Sequence, residues 1–315
     1  MIKISDIIAC MQEMAPEDLA EPWDNCGLLV ETDSEYAERV IVCLDVTRAV
    51  VEEAVNSRAQ LIIAHHPLIF TPLKRLCADS ASGALLLALV RNNIALYAAH
   101  TNVDKTYGGL NDLLAGIVGL DVPPPQDESA PLDYYRVGHC KAAMTVEAFN
   151  EHVRSRLKLD SLIVSAPEGG SAKGSGRMQN GRRMSNDKHA ADGVRRIKKV
   201  IVMCGSYSLD PAVFAATGAD ALLCGEIRHH DALELAGMGV HIVQAGHHGT
   251  ERFFINLAEK WILDKYPGAT VLGVGFSSPP MEAYSGGGSS GGSATVNGSG
   301  SGNVTANGSG AGNNV

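Results

Sequence analysis

The segment that most constrains the fold is residues 61–70, with the sequence LIIAHHPLIF. A short aliphatic run of this kind is typical of a strand buried on both faces of a parallel sheet. Pro67 lacks a backbone N–H and favours an extended residue before it, so the strand is predicted to end at His65 and His66. Because ligands of open α/β sheets bind beyond the carboxyl ends of the strands, this pair is predicted to lie in a site. The alternative is one hydrogen-bonded core histidine beside one that faces solvent.

Short aliphatic runs alternate with helical segments along most of the chain. Further strands are predicted at residues 40–46, 94–99, 134–140, 162–166, 199–205, 221–225, 240–245 and 271–276. A long helix is predicted over residues 250–266, because Pro267 and Gly268 form a stop signal after it. The alternation predicts the α/β class, with two related α/β lobes, largely parallel or mixed sheets, and a site in the cleft between the lobes.

Changes in composition divide the chain into parts. The predicted parts are an N-terminal α/β lobe at 1–125, a C-terminal α/β lobe at 126–277 with a mobile insertion at 168–193, and a disordered Gly/Ser/Asn-rich tail at 278–315. The boundary between the lobes is the proline-rich acidic stretch 122–133. The insertion and the tail are too polar to bury a core of their own.

Charge and cysteine usage limit the partners and the compartment. The net charge of −9 argues against a protein that coats nucleic acid. The seven cysteines form no C-x-x-C pair and are typical of reduced core thiols in a cytoplasmic protein. No segment approaches the roughly 20 apolar residues of a membrane span, and the first residues lack the features of a signal peptide. The protein is therefore predicted to be cytoplasmic, with neither a membrane nor a nucleic acid as its partner.

Three predicted strand ends carry residue types that bind metal ions: His65 with His66, His100 with Asp104, and His247 with Glu251. The members of the last pair are four residues apart at a helix start, so both side chains can face one point. Imidazole and carboxylate ligands together suit zinc, iron or manganese. Even without His100 there are five ligands, more than a tetrahedral structural zinc needs, which favours two divalent ions that share a bridging carboxylate or water.

Four ordered motifs resemble one protein family. The segments AEPWDNCGLLV, IIAHHPLIF, AAHTNVD and AGHHGTE are similar to those of the Nif-three-like family, whose members are named GTP cyclohydrolase I type 2 homologues. The resemblance covers residues 1–125 and 195–277, and it implies a dinuclear metal centre between two related lobes and a toroidal homohexamer. The family's metal-binding residues correspond to His65, His66, Asp104, His247 and Glu251.

The same resemblance suggests roles for further residues. His100 is expected at the rim of the centre as a proton shuttle, a role that Glu251 could also take. The segment CGEIRHHDALE adds Glu226, His229 and His230 as second-tier residues of the cleft. Trp23, Asp24, Asn25 and Gly27 are interpreted as a loop that packs near the cleft, with a direct substrate role as the alternative.

The function implied by the resemblance is that of a metal-dependent hydrolase acting on a nucleotide. In a GTP cyclohydrolase-like reaction, a metal-activated water attacks C8 of guanine and formate is released. One alternative is a phosphoester hydrolase, since paired metal ions commonly hold the attacking and leaving oxygens of a phosphate. Another is a non-catalytic protein that handles a metal or regulates through metal binding.

Overall fold

The computed structural model describes residues 1–125, 132–165 and 194–275, together with the backbone of 178–179 and 182–183. The helices are α1 (Ile4–Met14), α2 (Arg48–Asn56), α3 (Ala81–Arg91), α4 (Thr101–Lys105), α5 (Leu110–Val118), α6 (Val146–Arg156), α7 (Ala212–Thr217), α8 (His229–Gly237), α9 (His247–Glu251) and α10 (Phe254–Lys265). The strands are β1 (Ile2–Lys3), β2 (Gly27–Val30), β3 (Tyr36–Ala37), β4 (Arg39–Cys43), β5 (Leu61–Ala64), β6 (Ala95–Ala98), β7 (Arg136–Thr145), β8 (Ile163–Val164), β9 (Met178–Gln179), β10 (Arg182–Arg183), β11 (Arg196–Ser206), β12 (Ala221–Glu226), β13 (His241–Gln244) and β14 (Thr270–Gly273).

The first sheet has the strand order β14-β4-β5-β6-β2. Its first four strands are parallel, and β2 pairs antiparallel with β6 at the edge. Strand β5 is buried on both faces: Leu61 and Ile63 pack into one apolar cluster, and Ile62 and Ala64 pack into another. Double-sided burial explains why this strand is a continuous aliphatic run and not an alternating one.

The second sheet has the order β7-β11-β12-β13-β8. Its three central strands are parallel, and β7 and β8 flank them in antiparallel pairing. The prediction of an α/β protein with parallel and mixed sheets is confirmed.

Side chains from both sheets share one apolar cluster, which includes Ile63 of β5 and Leu223 of β12. The buried side-chain amide of Asn111 in α5 links α4 to the second sheet. Its Nδ2 donates to the Asp104 carbonyl at 3.0 Å, and its Oδ1 accepts from the Cys204 N–H at 2.8 Å. The chain therefore holds α4 close to the carboxyl end of β11.

Two predictions about the chain's organisation need correction. The division at 125/126 places the last described strand, β14, in the C-terminal lobe. In the structure β14 pairs with β4 and so belongs to the first sheet. The predicted helix over 250–266 is two helices, α9 and α10, interrupted at Arg252 and Phe253. The division into lobes otherwise stays a prediction.

Parts of three predicted segments lie outside the described residues. These are residues 126–131 of the boundary stretch, most of the insertion 168–193, and the tail 278–315. Within the insertion, the backbone of β9 and β10 forms a two-stranded antiparallel ribbon. Among the described helices, none combines the length and the apolar character that crossing a membrane requires.

Candidate metal centre

His65 and His66 directly follow β5, as predicted. The His65 ring is fully buried and its Nδ1 lies 2.9 Å from the Ala99 carbonyl oxygen, to which it donates. The Nδ1–H of His66 donates to Asp45 Oδ1 at 2.7 Å. Because both Nδ1 atoms are held by outer partners, both Nε2 atoms are turned away from those partners and towards Glu251.

His100 and Asp104 are placed by β6 and α4. His100 is the residue directly before α4, and Asp104 follows it by four residues and is buried. The Nδ1–H of His100 donates to Asp24 Oδ1 at 2.9 Å. Asp24 therefore engages one ring nitrogen of His100, and Nε2 is the other. Asp24 also accepts hydrogen bonds from the Thr101 N–H and hydroxyl through its Oδ2.

His247 and Glu251 lie at the two ends of α9, after the turn that follows β13. Gly246 makes this turn with φ of 81°, a left-handed conformation that favours glycine. The buried Glu251 carboxylate also needs a glycine opposite it, because a Cβ at Gly205 would lie 2.2 Å from Glu251 Oε1. Both glycines therefore position the residues that the sequence identified.

Glu251 is the centre of the cluster. Its Oε2 lies 2.9 Å from His247 Nε2 and 3.0 Å from His66 Nε2. Its Oε1 lies 3.9 Å from His65 Nε2, and that nitrogen lies 3.9 Å from Asp104 Oδ1. The two oxygens of one carboxylate thus face two different sets of side chains.

Two buried atoms of the cluster are unsatisfied. Within the described part of the chain, neither His65 Nε2 nor Asp104 Oδ1 has a hydrogen-bond partner. Buried polar atoms in native proteins almost always have partners, and a missing one calls for an explanation such as an ion. A cation that contacts both atoms would supply that explanation.

Burial and close carboxylates shift the pKa values in opposite directions. Burial raises the pKa of Asp104 well above its usual value, and the nearby Glu251 carboxylate adds to this. Burial also opposes ionisation of Glu251, but hydrogen bonds from His247 and His66 outweigh it and hold its pKa well below the usual value. These opposite shifts are typical of a functional cluster.

The pKa values of the histidines are also shifted in opposite directions. Burial lowers the pKa of His65 to about 4, so its ring is neutral. Burial acts on His66 in the same sense, but the hydrogen bonds to Asp45 and Glu251 prevail and raise its pKa to about 10. The hydrogen bond to Glu251 raises the pKa of His247 as well. Protons on His66 and His247 therefore compete with any metal ion for the same nitrogens.

The donor set fits a metal centre. Two groups, His65 with His66 and His100, and His66 with His247 and Glu251, each offer ligand atoms within 4.8 Å of one another. Neutral imidazole and carboxylate are the ligands that zinc, iron and manganese take in proteins. Asp104 lies outside these two groups but next to His65. The structure thus brings together the residues predicted as ligands, with His100 closer to them than a rim position implies.

The second-tier residues differ in their positions. Glu226 Oε1 lies 3.3 Å from His247 Nδ1 and also accepts a hydrogen bond from the Ser206 hydroxyl. His229 and His230 are exposed at the start of α8, and in the described chain they belong to neither candidate group. Only Glu226 therefore contacts the cluster.

Sequence reasoning did not single out Asp45, and it placed Asp24 in a loop near the cleft without predicting its contact with His100. Asp45 follows β4, the neighbour of β5, so its strand-end position was a usable signal. Asp24 lies in an irregular loop whose contact with His100 spans 76 residues of sequence, and no local pattern indicates it.

Comparisons with known proteins agree with these observations. The family model Duf34/NIF3 (NGG1p interacting factor 3) matches residues 2–279. A Clostridium perfringens protein named GTP cyclohydrolase 1 type 2 homolog is 30% identical over 264 residues, which are 82% of this chain and 91% of that protein. A Nostoc sp. protein of the same name is 35% identical over 253 residues, 80% of this chain and 88% of that protein.

Solved structures of similar proteins bear on the fold. The crystal structure of a Bacillus cereus protein related to NIF3 matches with a TM-score of 0.73 at 22% identity, covering 90% of this chain and 99% of that one. At this identity the likeness concerns the fold alone. The family predicted from the four motifs is confirmed, and with a family model that matches residues 2–279 of its 315, this chain belongs to the Duf34/NIF3 family.

Proposed function

We propose that the cluster binds two divalent metal ions and that the chain is a metal-dependent hydrolase. The observation that carries this proposal is the pair of unsatisfied buried atoms, His65 Nε2 and Asp104 Oδ1, which lie 3.9 Å apart. A buried polar atom without a partner costs about 1–3 kcal/mol. A cation held by both atoms would remove that cost and balance the carboxylates packed around it.

The two oxygens of Glu251 suggest how the ligands divide. One ion would be held by His65, Asp104 and Glu251, and the other by His66, His247 and Glu251. Zinc, iron and manganese all suit these ligands. Bound ions of this kind polarise a substrate oxygen and lower the pKa of a bound water.

His100 is assigned to proton transfer. Its Nδ1–H is fixed by Asp24, so the ring keeps the tautomer in which Nε2 can accept a proton. Burial opposes ionisation of Asp24, but hydrogen bonds from His100 and Thr101 prevail and hold its pKa well below the usual value. Asp24 therefore stays a carboxylate and orients His100, and it does not take the proton itself.

The cluster is open on the side of His247. The side chain of His247 is 36% exposed, whereas that of His65 is fully buried. A substrate can therefore contact the cluster at His247, whereas the nitrogen of the buried His65 is shielded from bulk water.

For the substrate we propose GTP, with ring opening and release of formate. The support is the name shared by the relatives, GTP cyclohydrolase 1 type 2 homolog, together with a cluster suited to hydrolysis. We also propose that the protein is cytoplasmic and forms a toroidal homohexamer. The mass of the purified protein in solution tests the number of subunits.

The test is formate release from GTP by protein loaded separately with zinc, manganese and iron. His247→Ala removes a proposed ligand, and His248→Ala, one residue along α9, is the matched control. We expect formate from the wild type and from His248→Ala, and none from His247→Ala.

Other outcomes would select the alternatives. Phosphate released without formate would replace the cyclohydrolase with a phosphoester hydrolase. Folded, metal-loaded protein that turns over no nucleotide would replace the enzyme with a metal-handling or regulatory protein.

A further inference from the structure

Two large aromatic side chains are exposed beside the cluster. Trp23 is 57% exposed and Phe70 is 52% exposed. Their ring centroids are 5.9 Å apart, and the ring planes are tilted by 56°. Aromatic side chains are among the groups that gain most from being covered, so an exposed pair at a site indicates a ligand surface.

The backbone on both sides of this pair is anchored. Asp24, next to Trp23, binds the Thr101 N–H and hydroxyl through its carboxylate. The Asn25 amide donates to the carbonyl of Ile69, the residue before Phe70. Because two separate loops are joined by this bond, the backbone that carries both rings is fixed before any ligand arrives.

The pair is continuous with the cluster. The Trp23 ring lies 6.3 Å from the His100 ring in an edge arrangement, and the His100 ring lies 5.1 Å from that of His65. One loop therefore presents an aromatic platform through Trp23 and fixes the proposed proton acceptor through Asp24.

We propose that Trp23 and Phe70 bind a planar heteroaromatic ring of nucleobase size. The tilt leaves no parallel slot between the two rings, so the ligand ring stacks on the open face of the Trp23 indole and meets Phe70 at its edge. A ring placed there lies beside His100 and presents its reacting atom to the cluster. This inference deepens the proposed function, on which it rests for the identity of the reacting centre.

The occupant follows from the surroundings of the pair. Imidazoles and carboxylates lie on its inner side, so the molecule that covers it must be both flat and polar. A nucleobase meets both requirements, since every base has a π-face and a polar edge.

The test uses the two tryptophans of the chain, Trp23 and the buried Trp261. Metal-loaded protein is titrated with GTP and, separately, with tripolyphosphate, which has no ring. We expect GTP to quench the Trp23 emission saturably and tripolyphosphate to leave it unchanged. By calorimetry, Trp23→Leu should weaken GTP binding by about tenfold and Phe70→Leu by about threefold, whereas Trp23→Phe should keep most of the affinity. Tyr36→Leu, at an exposed aromatic residue of β3, is the control and should bind GTP as the wild type does.

Two results would overturn the inference. One is an unchanged affinity for GTP in Trp23→Leu. The other is wild-type Trp23 emission typical of a buried indole together with a lower assembly mass for Trp23→Leu, which would make the pair a contact between copies of the chain.

The inference and the proposed function fail in different ways. Formate release with an unchanged KM in Trp23→Leu would overturn the stacking site alone. Tenfold weaker binding in that variant, without formate release by the wild type, would overturn the cyclohydrolase activity alone.

Discussion

The two sheets end in the same local pattern but contribute differently to the cluster. Strand β6 leads into α4 and β13 leads into α9, and both are five-residue helices. Each pattern has a histidine followed four residues later by an acid: His100 with Asp104, and His247 with Glu251. Glu251 lies close to three histidines, whereas Asp104 Oδ1 faces His65 at 3.9 Å.

The cluster has a first-sheet half and a second-sheet half, which also differ in burial. The first-sheet half is His65, His66, His100 and Asp104, and the second-sheet half is Glu226, His247 and Glu251. His65 and Asp104 are buried, whereas the side chains of His247 and Glu226 are 36% and 54% exposed. The first sheet therefore supplies a fixed wall. The second sheet supplies the shared carboxylate of Glu251 and the more exposed histidine, His247. The same five-residue helix, α4 or α9, therefore carries a buried acid in both sheets but a more exposed histidine in the second.

The largest effect is expected from Glu251→Gln, which removes the carboxylate that lies beside His65, His66 and His247. Affinity for zinc should fall by more than about 100-fold, the upper range for loss of an outer partner of a ligand. Competition with a chromogenic chelator measures it, and Glu52→Gln, at an exposed carboxylate of α2, serves as the control. Equal zinc affinities of the two variants would show that Glu251 does not bind the metal.

Asp24→Ala should show how strongly the first half depends on its outer support. The change deprives the Thr101 N–H and hydroxyl and the His100 ring of their acceptor. We expect the free energy of unfolding to fall by about 2–3 kcal/mol, because buried donors are left without partners. Urea unfolding measures the loss. Asp18→Ala, at an exposed carboxylate nearby, should change the value little, and a similar loss in both variants would contradict this account.

His241 of β13 gives the second sheet a pH dependence that does not come from the cluster. The ring is 2% exposed, with Nε2 donating to Asn150 Oδ1 at 2.7 Å and Nδ1 accepting from the Ser165 hydroxyl at 3.0 Å. Burial lowers its pKa to about 4, with a smaller contribution from Arg195. The unfolded chain, with a histidine pKa of about 6.5, therefore takes up the proton first as the pH falls.

Stability should accordingly be lost between about pH 6.5 and pH 4 through His241. Relative to pH 7.5, its share at pH 5 is about 2 kcal/mol. Urea unfolding of chelator-treated wild type and His241→Gln at both pH values measures the share as the difference between the two pH dependences. Identical pH dependence in the two proteins would show that His241 titrates normally.

The smallest effect is expected from Glu226→Gln, the outer partner of His247 in the second half. The carboxylate is exposed and lies 3.3 Å from His247 Nδ1, and its amide replacement can still accept. Zinc affinity should fall by less than about tenfold, and the free energy of unfolding should change by less than about 0.5 kcal/mol. A loss as large as that of Asp24→Ala would remove the distinction between a fixed half and an open half.

The clustering of the candidate residues was predictable because they sit at strand ends. Buried runs such as 61–64 mark parallel strands, and the polar residues that follow them must meet at one edge. The break between α9 and α10 was not predictable, because Arg252 and Phe253 carry no proline or glycine signal. The pairing of β14 with β4 depends on which edge of a sheet is open, a property of the assembled fold and not of either segment.

Our central proposal is that Glu251 joins two metal ions, one held with His65 and Asp104 and the other with His66 and His247. Crystals of zinc-loaded protein, with diffraction measured on both sides of the zinc absorption edge, test it most directly. The account predicts two anomalous peaks in each chain, one beside His65, Asp104 and Glu251 and the other beside His66, His247 and Glu251. A single peak, or peaks that do not contact Glu251, would contradict it.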